Sequence, residues 1–206
     1  MGTCSKGPVT VKLLELFEKS LGDTVAFCFG RMNPPTIGHA HLFKVMSSAA
    51  KDYKIFVSAT QDKKKNPLSY EEKIKFIQAI HPEYADHLVV DRGLNTIMKV
   101  AVWLYDQGYR NAVFVAGDDR KEIYDMLVSY NGVEGKAHGF YKFDQLEFKS
   151  AGARDPDSDG IEGVSASLAR QRAAEGDFEG FAAATGAGNY SEELYQAVRA
   201  GLGIKE

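Results

Sequence analysis

Apolar and polar residues follow one another along the chain in two rhythms, short apolar runs and longer amphipathic stretches. The short runs predict buried strands, which are TVAFCF at 24–29, YKIFVSA at 53–59, HLVVD at 87–91 and NAVFVAG at 111–117. The amphipathic stretches predict helices, at 9–22, near 38–50, from 69 onward, at 95–108, at 119–132, near 166–175 and near 191–200. Residues 136–149 predict one last strand or a short hairpin.

The regular alternation of strand and helix predicts the fold class. Neighbouring parallel strands need a crossover between them, and that crossover is usually a helix. We therefore expect an α/β fold, a Rossmann-like, doubly wound parallel sheet of five strands followed by C-terminal helices. A chain of 206 residues fits one domain. Within it we expect an N-terminal helix in residues 1–22, the α/β core in 24–150, and a loop with C-terminal helices in 151–206.

Composition narrows the class of protein. Hydrophobic residues make up 44% of the chain and charged residues 26%, as in ordinary globular proteins. No run approaches the roughly 18 apolar residues of a membrane-spanning helix, and the first residues lack the pattern of a secretory signal. Cys4 and Cys28 are too few for a disulfide framework and have no zinc-ligand spacing. We expect a cytoplasmic protein without a membrane partner.

Charge is distributed unevenly along the chain. Residues 1–75 contain twelve Lys or Arg against seven Asp or Glu, whereas residues 76–206 contain thirteen against twenty-one. Binding of extended DNA or RNA usually requires a broad basic face. The asymmetry favours a small anionic ligand bound by the first part of the chain, and no extended nucleic acid.

The turn after the first predicted strand, GRMNPPTIGH at 30–39, has the composition of an anion-binding loop. It contains neither G-x-G-x-x-G nor the P-loop motif, so the common dinucleotide and NTPase fingerprints are absent. Gly30 allows close backbone approach, and the two prolines restrict the path of the loop. The helix that begins near Gly38 offers unpaired amides and the positive end of its dipole. His39 and Thr36 can donate hydrogen bonds to a phosphate at the same place.

These residues resemble a known signature. GRMNPPTIGH is similar to the G-x-F-x-P-x-[HT]-x-G-H motif of the nucleotidylyltransferase superfamily, which includes nicotinamide mononucleotide, phosphopantetheine and glycerol-3-phosphate nucleotidyltransferases. Met32 replaces the usual aromatic residue. Arg31 is closer to the archaeal-type nicotinamide mononucleotide enzymes, and Thr36 is closer to the phosphopantetheine branch. The turn therefore does not select a subfamily.

Three later segments, in the expected order, strengthen the resemblance. KKKNPLSYEEK at 63–73 resembles the loop and helix start that follow the second strand in the family, VFVAGDDR at 113–120 resembles its G-x-D stretch, and GVSASLAR at 163–170 is similar to its I-S-S-T-x-[IL]-R motif, from which Ala166 and Ala169 depart. The resemblance covers residues 24–185. It extends to uncharacterised nucleotidyltransferases encoded by tailed bacteriophages.

The resemblance implies a reaction and a set of residues. An NMP group passes from an NTP, either ATP or CTP, to a phosphate-bearing small-molecule acceptor with release of pyrophosphate, and Mg²⁺ bridges the phosphates. The implied catalytic residues are Thr36, His39, Lys65 and Arg170. The implied nucleotide-binding residues are Gly30, Arg31, Asn33, Pro34, Gly38, Gly117, Asp118, Arg120, Ser165 and Ser167. No protein ligand is assigned to the metal ion, and a homo-oligomer is expected by analogy with relatives.

Several of these segments also have ordinary structural interpretations. A lysine run is usually solvated surface, so the choice within Lys63–Lys65 stays open, with Lys65 favoured because it is nearest to Pro67. Asp is a preferred N-cap residue, so the roles of Asp118 and Asp119 stay open as well.

Two residues outside the motif positions are assigned to packing. Trp103 lies in a periodic helix and is expected in the core, and His41 is expected to face away from the site. A nucleotide-binding module without catalysis, regulatory or virion-associated, is the alternative function. A fragment of a class I aminoacyl-tRNA synthetase is disfavoured because the chain is short and contains no K-M-S-K-S.

Overall fold

The structure, a computed structural model, describes residues 24–152 and 165–204. The helix expected in residues 1–22 lies outside the described residues. The same holds for 153–164, which include most of the acidic loop and Val164 of the last motif. None of the described helices is long and apolar enough to cross a membrane.

Five parallel strands of the described chain form one sheet in the order β3-β2-β1-β4-β5. They are β1 (Thr24–Gly30), β2 (Asp52–Val57), β3 (Leu88–Val89), β4 (Asn111–Ala116) and β5 (Gln145–Ser150). The predicted Rossmann-like α/β fold class is confirmed. The chain runs outward from β1 to β3 and then crosses back to β4. In such sheets the carboxyl ends of the strands on either side of this switch, here β1 and β4, form the ligand-binding crevice.

The helices pack on both faces of the sheet and beyond one edge. They are α1 (Ile37–Ser47), α2 (Tyr70–Ile80), α3 (Ile97–Asp106), α4 (Lys121–Tyr130), α5 (Ala166–Glu175), α6 (Phe178–Thr185) and α7 (Ser191–Leu202). The capping box predicted at Ser69 is confirmed, since the Ser69 hydroxyl accepts from the Glu72 amide at 3.2 Å and the Glu72 carboxylate accepts from the Ser69 amide at 2.7 Å.

Two strands differ from their sequence predictions. HLVVD was expected as a five-residue strand, but β3 has two residues, because a 3₁₀ turn occupies Pro82–His87 and the chain leaves the sheet at Val90, which is 58% exposed. Such short edge strands limit unwanted strand pairing. In 136–149 only the end forms a strand, and β5 pairs in parallel with β4 rather than within a hairpin.

The two faces of the sheet carry separate apolar cores. Phe27 belongs to the layer packed against α3 and α4, and the next residue, Cys28, belongs to the layer packed against α1 and α2. Burial raises the pKa of the Cys28 thiol to about 12, so this cysteine is a packing residue and not a nucleophile. Trp103 packs edge-on against Phe56, which confirms its expected place in the core.

A third core joins the C-terminal helices to α2. Leu68 and Phe76 pack into a cluster formed by α5, α6 and α7. The Arg199 guanidinium of α7 donates to the Ala173 carbonyl of α5 at 2.7 Å. Helix α6 was not predicted; its apolar positions within FEGFAAAT are too few to show a period. These contacts fix α5 beside the turn that follows β1.

Substitution of Gly201 by alanine is expected to destabilise the protein by about 1–3 kcal/mol. A Cβ atom at this position would collide with the backbone carbonyl of Pro67, immediately before Leu68, and neither backbone can move without disturbing the third core. Urea unfolding measures the change, with Gln196→Ala on the exposed face of α7 as the control within about 0.5 kcal/mol. Equal stability of Gly201→Ala and wild type would contradict the close packing of α7 on this loop.

Candidate active site

A cavity of about 310 Å³ lies at the carboxyl edge of the sheet, beside β1 and β4. Its walls are the turn after β1, the start of α1, the loops that follow β2 to β5, and the start of α5. The predicted residues that line it are Gly30, Arg31, Asn33, Thr36, Gly38, His39, Gly117, Arg120, Ser165, Ser167 and Arg170. The segments singled out in the sequence thus meet at one place, although Pro34, Asp118 and Lys65 are not in the lining.

The lining is strongly biased toward positive charge. It contains three arginines, Arg31, Arg120 and Arg170, and two histidines, His39 and His41. None of the described residues that line the cavity is an aspartate or a glutamate. The whole chain carries a formal charge of −3, so the cavity has the opposite sign. Charge of one sign in a concave site attracts counter-ions, here anions.

Two helices begin at this cavity. Helix α1 starts after Thr36, and helix α5 starts after Ser165, whose hydroxyl accepts from the Leu168 amide at 3.2 Å. Gly38 in the first turn of α1 and Ala166 in the first turn of α5 both belong to the lining. First-turn amides have no partner inside their own helix, and the helix dipole places partial positive charge there. A phosphate in the cavity would face both ends.

The imidazole of His39 is held by Thr36. The Thr36 backbone N–H donates to His39 Nδ1 at 3.1 Å, and the Thr36 Oγ1 lies 2.9 Å from the same nitrogen. A backbone N–H can only donate, so Nδ1 is the acceptor and the neutral ring carries its proton on Nε2. Thr36 is only 1% exposed. Its geometry is that of a residue that orients His39 and places the ring proton on Nε2.

The structure predicts opposite tautomers for two histidines. His39 should carry its proton on Nε2, whereas His87, whose Nδ1 lies 3.1 Å from the Tyr53 carbonyl oxygen, should carry it on Nδ1 because a carbonyl can only accept. Nitrogen-15 NMR of histidine-labelled protein, at a pH where both rings are neutral, distinguishes the two forms. A proton on Nδ1 of His39 would contradict the orientation described for the site.

The Asn33 side chain connects the turn after β1 to the loop just before α2 through two hydrogen bonds. Its amide donates to the Leu68 carbonyl and its amide oxygen accepts from the Leu68 N–H, both at 2.9 Å. The side chain is 1% exposed. The sequence suggested Asn33 as a nucleotide ligand, but its side-chain groups are engaged by Leu68, so its role in the structure is to shape the turn. Met32 next to it is buried with a positive φ of 44°, which marks the tight path of this segment.

Arg170 joins α5 to the same turn. Its guanidinium donates to the Asn33 carbonyl at 2.7 Å and to the Ser167 hydroxyl at 3.0 Å. Desolvation lowers the pKa of Arg170, and the nearby positive charge of Arg31 lowers it further. A bound anion would relieve both effects. The guanidinium is therefore held in place for an anion by two neutral acceptors, and the carboxylate of Asp62 offsets only part of the effect of burial and Arg31 on its pKa.

The wall after β4 is provided by Gly117 and Arg120. Asp118 and Asp119 belong to a short 3₁₀ turn, and both are exposed outside the cavity. The guanidinium of Arg120 lies 3.2 Å from the Asp119 carboxylate. The prediction that Asp118 binds the nucleotide is not supported by its position, because the turn directs Arg120 rather than the carboxylates to the lining.

The lysine run lies outside the cavity lining. Asp62 caps the turn, accepting from the Lys65 amide at 2.6 Å and the Lys64 amide at 2.9 Å, and these bonds lower the pKa of Asp62 to about 2. All three lysines are exposed. The assignment of Lys65 to catalysis therefore has no support in this geometry. Asn66, the next residue, lines the cavity instead, because the turn brings the chain back toward β2.

Comparison with known proteins now decides the family. The cytidylyltransferase-like family matches residues 27–172, well over half of the chain. The chain belongs to the cytidylyltransferase-like family. Membership supports nucleotidyl transfer in general and a nucleotide as substrate. The matched range contains most of β1, all of β2 to β5 and the starts of α1 and α5, so it includes every residue that lines the cavity.

Comparisons with curated proteins and with solved structures do not narrow the family further. No curated protein matches the sequence of this cytidylyltransferase-like chain. Among solved structures, it is similar to a bifunctional NMN adenylyltransferase/ADP ribose pyrophosphatase from Francisella tularensis, with 14% identity and a TM-score of 0.48. The alignment covers 86% of this chain and 52% of the bifunctional protein, so the chain spans about half the length of that protein.

Three features of this cytidylyltransferase-like site were not predicted from the sequence. His41 was expected to face away, yet it lines the cavity, because the start of α1 sits at the mouth and exposes more than one side of its first turns. Asn66 and Asn95 also line it, although isolated asparagines in loops carry no pattern. Lys73 is fully buried near the cavity wall; its position inside a capping-box helix gave no signal.

Proposed function

We propose that this protein is a nucleotidyltransferase that transfers an NMP group from an NTP to a phosphate-bearing small molecule and releases pyrophosphate. The observation that carries the proposal is the cavity itself. Three arginines, two helix starts and a histidine whose tautomer is set by Thr36 converge on one space with no carboxylate in the described lining. Phosphoryl chemistry needs positioning and charge stabilisation more than a protein nucleophile, and this lining supplies both.

In the proposed reaction, an oxygen of the acceptor phosphate forms a bond to the α-phosphorus of the NTP. The bond from that phosphorus to the bridging oxygen breaks, and the electron pair leaves with pyrophosphate. His39 Nε2–H donates to the α-phosphate or the bridging oxygen as negative charge develops there. Thr36 holds the ring in the required tautomer.

The leaving pyrophosphate is assigned to the start of α5. Arg170 and the first-turn amides after Ser165 hold the β- and γ-phosphates, with Arg120 and Arg31 at the two sides of the same space. Mg²⁺ enters as part of the nucleotide substrate, bound to phosphate oxygens and water. Among residues 24–152 and 165–204, no group of three or more His, Cys, Asp or Glu is arranged to hold a metal ion.

A catalytically silent nucleotide-binding module is the second candidate. The same cationic cavity would bind an NTP without transferring it. What favours the enzyme is the hydrogen bond from the Thr36 amide that fixes the His39 tautomer, since simple anion binding needs no particular tautomer. Calorimetric binding of NTP without turnover of any acceptor would favour the silent module.

The experiment that tests the proposal is a matrix of nucleotides and acceptors. Each of the four NTPs, with Mg²⁺, is incubated with nicotinamide mononucleotide, phosphopantetheine, glycerol 3-phosphate, phosphocholine or a sugar phosphate, and pyrophosphate is measured. We expect ATP or CTP to give acceptor-dependent pyrophosphate with at least one of them. Release that is independent of every acceptor would contradict nucleotidyl transfer.

A further inference from the structure

Lys73 of α2 is a fully buried cation close to the cavity. Its exposed fraction is 0%, and its ammonium donates to the Ser58 carbonyl at 2.5 Å and to the Thr60 carbonyl at 3.2 Å. Lysine is almost never fully buried unless its charge is satisfied. Here the partners are two backbone carbonyls of the loop that follows β2, and both Ser58 and Thr60 line the cavity.

The carbonyls contacted by Lys73 belong to chain that has left the sheet. The Ser58 amide still donates to the Gly30 carbonyl at 2.9 Å, but the loop then turns away from β1. A buried carbonyl outside a strand ladder or helix needs a donor from elsewhere, and the Lys73 ammonium supplies it for the buried Ser58 carbonyl while it also bonds to the less buried Thr60 carbonyl. An apolar side chain at this position would fill the space and leave both carbonyls without that donor.

The loop held by Lys73 contributes only neutral side chains to the lining of the cavity. The arginines of the lining, Arg31, Arg120 and Arg170, belong to other segments, whereas the loop after β2 contributes Ser58, Thr60 and Asn66. If the nucleotide phosphates contact the arginines, the neutral wall is left for the second substrate.

We propose that Lys73 is a positioning residue, which holds the Ser58–Thr60 segment in the shape that binds the acceptor. The acceptor part of this inference rests on the proposed function, whereas the holding of the loop does not. Lys73 acts through Ser58 and Thr60 and touches neither substrate.

Lys73→Met tests the proposal, with Lys75→Met as the matched control. Methionine keeps much of the volume and removes the charge. Lys75 lies two residues later on the same helix, has a side chain 61% exposed and pairs with Glu193 on the surface.

In Lys73→Met, hydrogen exchange of the amides at 59–62 should be about tenfold faster than in Lys75→Met. The acceptor KM should rise about tenfold, with the NTP KM unchanged. If Lys73 only stabilised the fold, Lys73→Met would lower the melting temperature without changing the acceptor KM differently from the NTP KM. Loop exchange equal to that of the control would overturn the proposal.

The wild-type protein provides a second test that does not depend on a variant folding. Burial lowers the pKa of Lys73 to about 8, opposed in part by the charge of Glu71 and aided by that of Arg92. As pH rises through about 8, the ammonium loses a proton and its charge-assisted bonds weaken. Loop exchange, corrected for the intrinsic dependence on pH, should therefore accelerate between pH 7 and 9 in wild type, whereas the rest of α2 stays protected. Corrected loop exchange that does not change over this range would contradict the proposal.

The exchange measurements need no turnover. Accelerated loop exchange in a protein that releases no pyrophosphate with any acceptor would support the role of Lys73 in holding the loop and would reject the proposed function. Accelerated exchange with unchanged kinetic constants in an active enzyme would overturn the assignment of this wall to the acceptor.

Discussion

Replacing His39 with alanine should lower the rate of pyrophosphate release by at least about 10²-fold while the fold survives. Thr36 positions the ring with its proton on Nε2, and removal of one such donor from a site where charge develops typically has an effect of this size. The imidazole belongs to the first turn of α1 and is not part of either sheet core, so little stability should be lost.

The matched variant for this prediction is His39→Gln. Its amide N–H can reach a position near that of Nε2–H and should recover part of the rate, whereas alanine should recover none. Steady-state pyrophosphate release and urea unfolding are measured on all three proteins. Near wild-type turnover by a folded His39→Ala protein would remove His39 from the mechanism.

Replacing Arg170 with alanine should raise the apparent KM for NTP by about 10- to 100-fold. The guanidinium hydrogen-bonds only to neutral acceptors near the start of α5, and hydrogen bonds to charged groups contribute about 1.5–3 kcal/mol each. The effect on kcat should be smaller than the effect on KM, provided that Arg170 binds the phosphates in the ground state as well as in the transition state.

Arg172 supplies the control for Arg170. It lies two residues later on α5, pairs with Asp177 at 2.9 Å and is not part of the cavity lining. Arg172→Ala should leave the KM for NTP within about twofold of wild type, because exposed ion pairs contribute little. An unchanged NTP constant in Arg170→Ala, or equal changes in both variants, would contradict the assignment of phosphate binding to Arg170.

The sequence predicted the fold well where the pattern was strong and local. The apolar runs of β1, β2 and β4 are long enough to identify strands, and Ser69 with Glu72 identifies the start of α2 without any tertiary information. β3 was predicted too long because HLVVD contains a continuous apolar run, whereas only Leu88 and Val89 pair with β2. The length of an edge strand depends on its neighbours, which the sequence does not show.

Several predicted site residues that line the cavity lie where a helix begins, so that its backbone amides and their side chains face the same space. Thr36, His39 and Arg170 lie at helix starts, and a helix start can be read from local sequence. The role of Lys65 stays a prediction, because a run of lysines shows charge but not direction and the turn capped by Asp62 keeps it outside the cavity lining. Lys73 was missed because its partners are backbone carbonyls, which have no sequence signature.

The central claim is that the cationic cavity transfers a nucleotidyl group rather than only binding nucleotide. Phosphorus-31 NMR of a reaction with Mg²⁺, the NTP and the acceptor that give the most pyrophosphate tests it most directly. Transfer predicts that signals of a new phosphate–phosphate linkage on the acceptor and of pyrophosphate grow in equal amounts, and that both are absent with His39→Ala. Consumption of NTP without the new linkage, or release of orthophosphate in place of pyrophosphate, would contradict it.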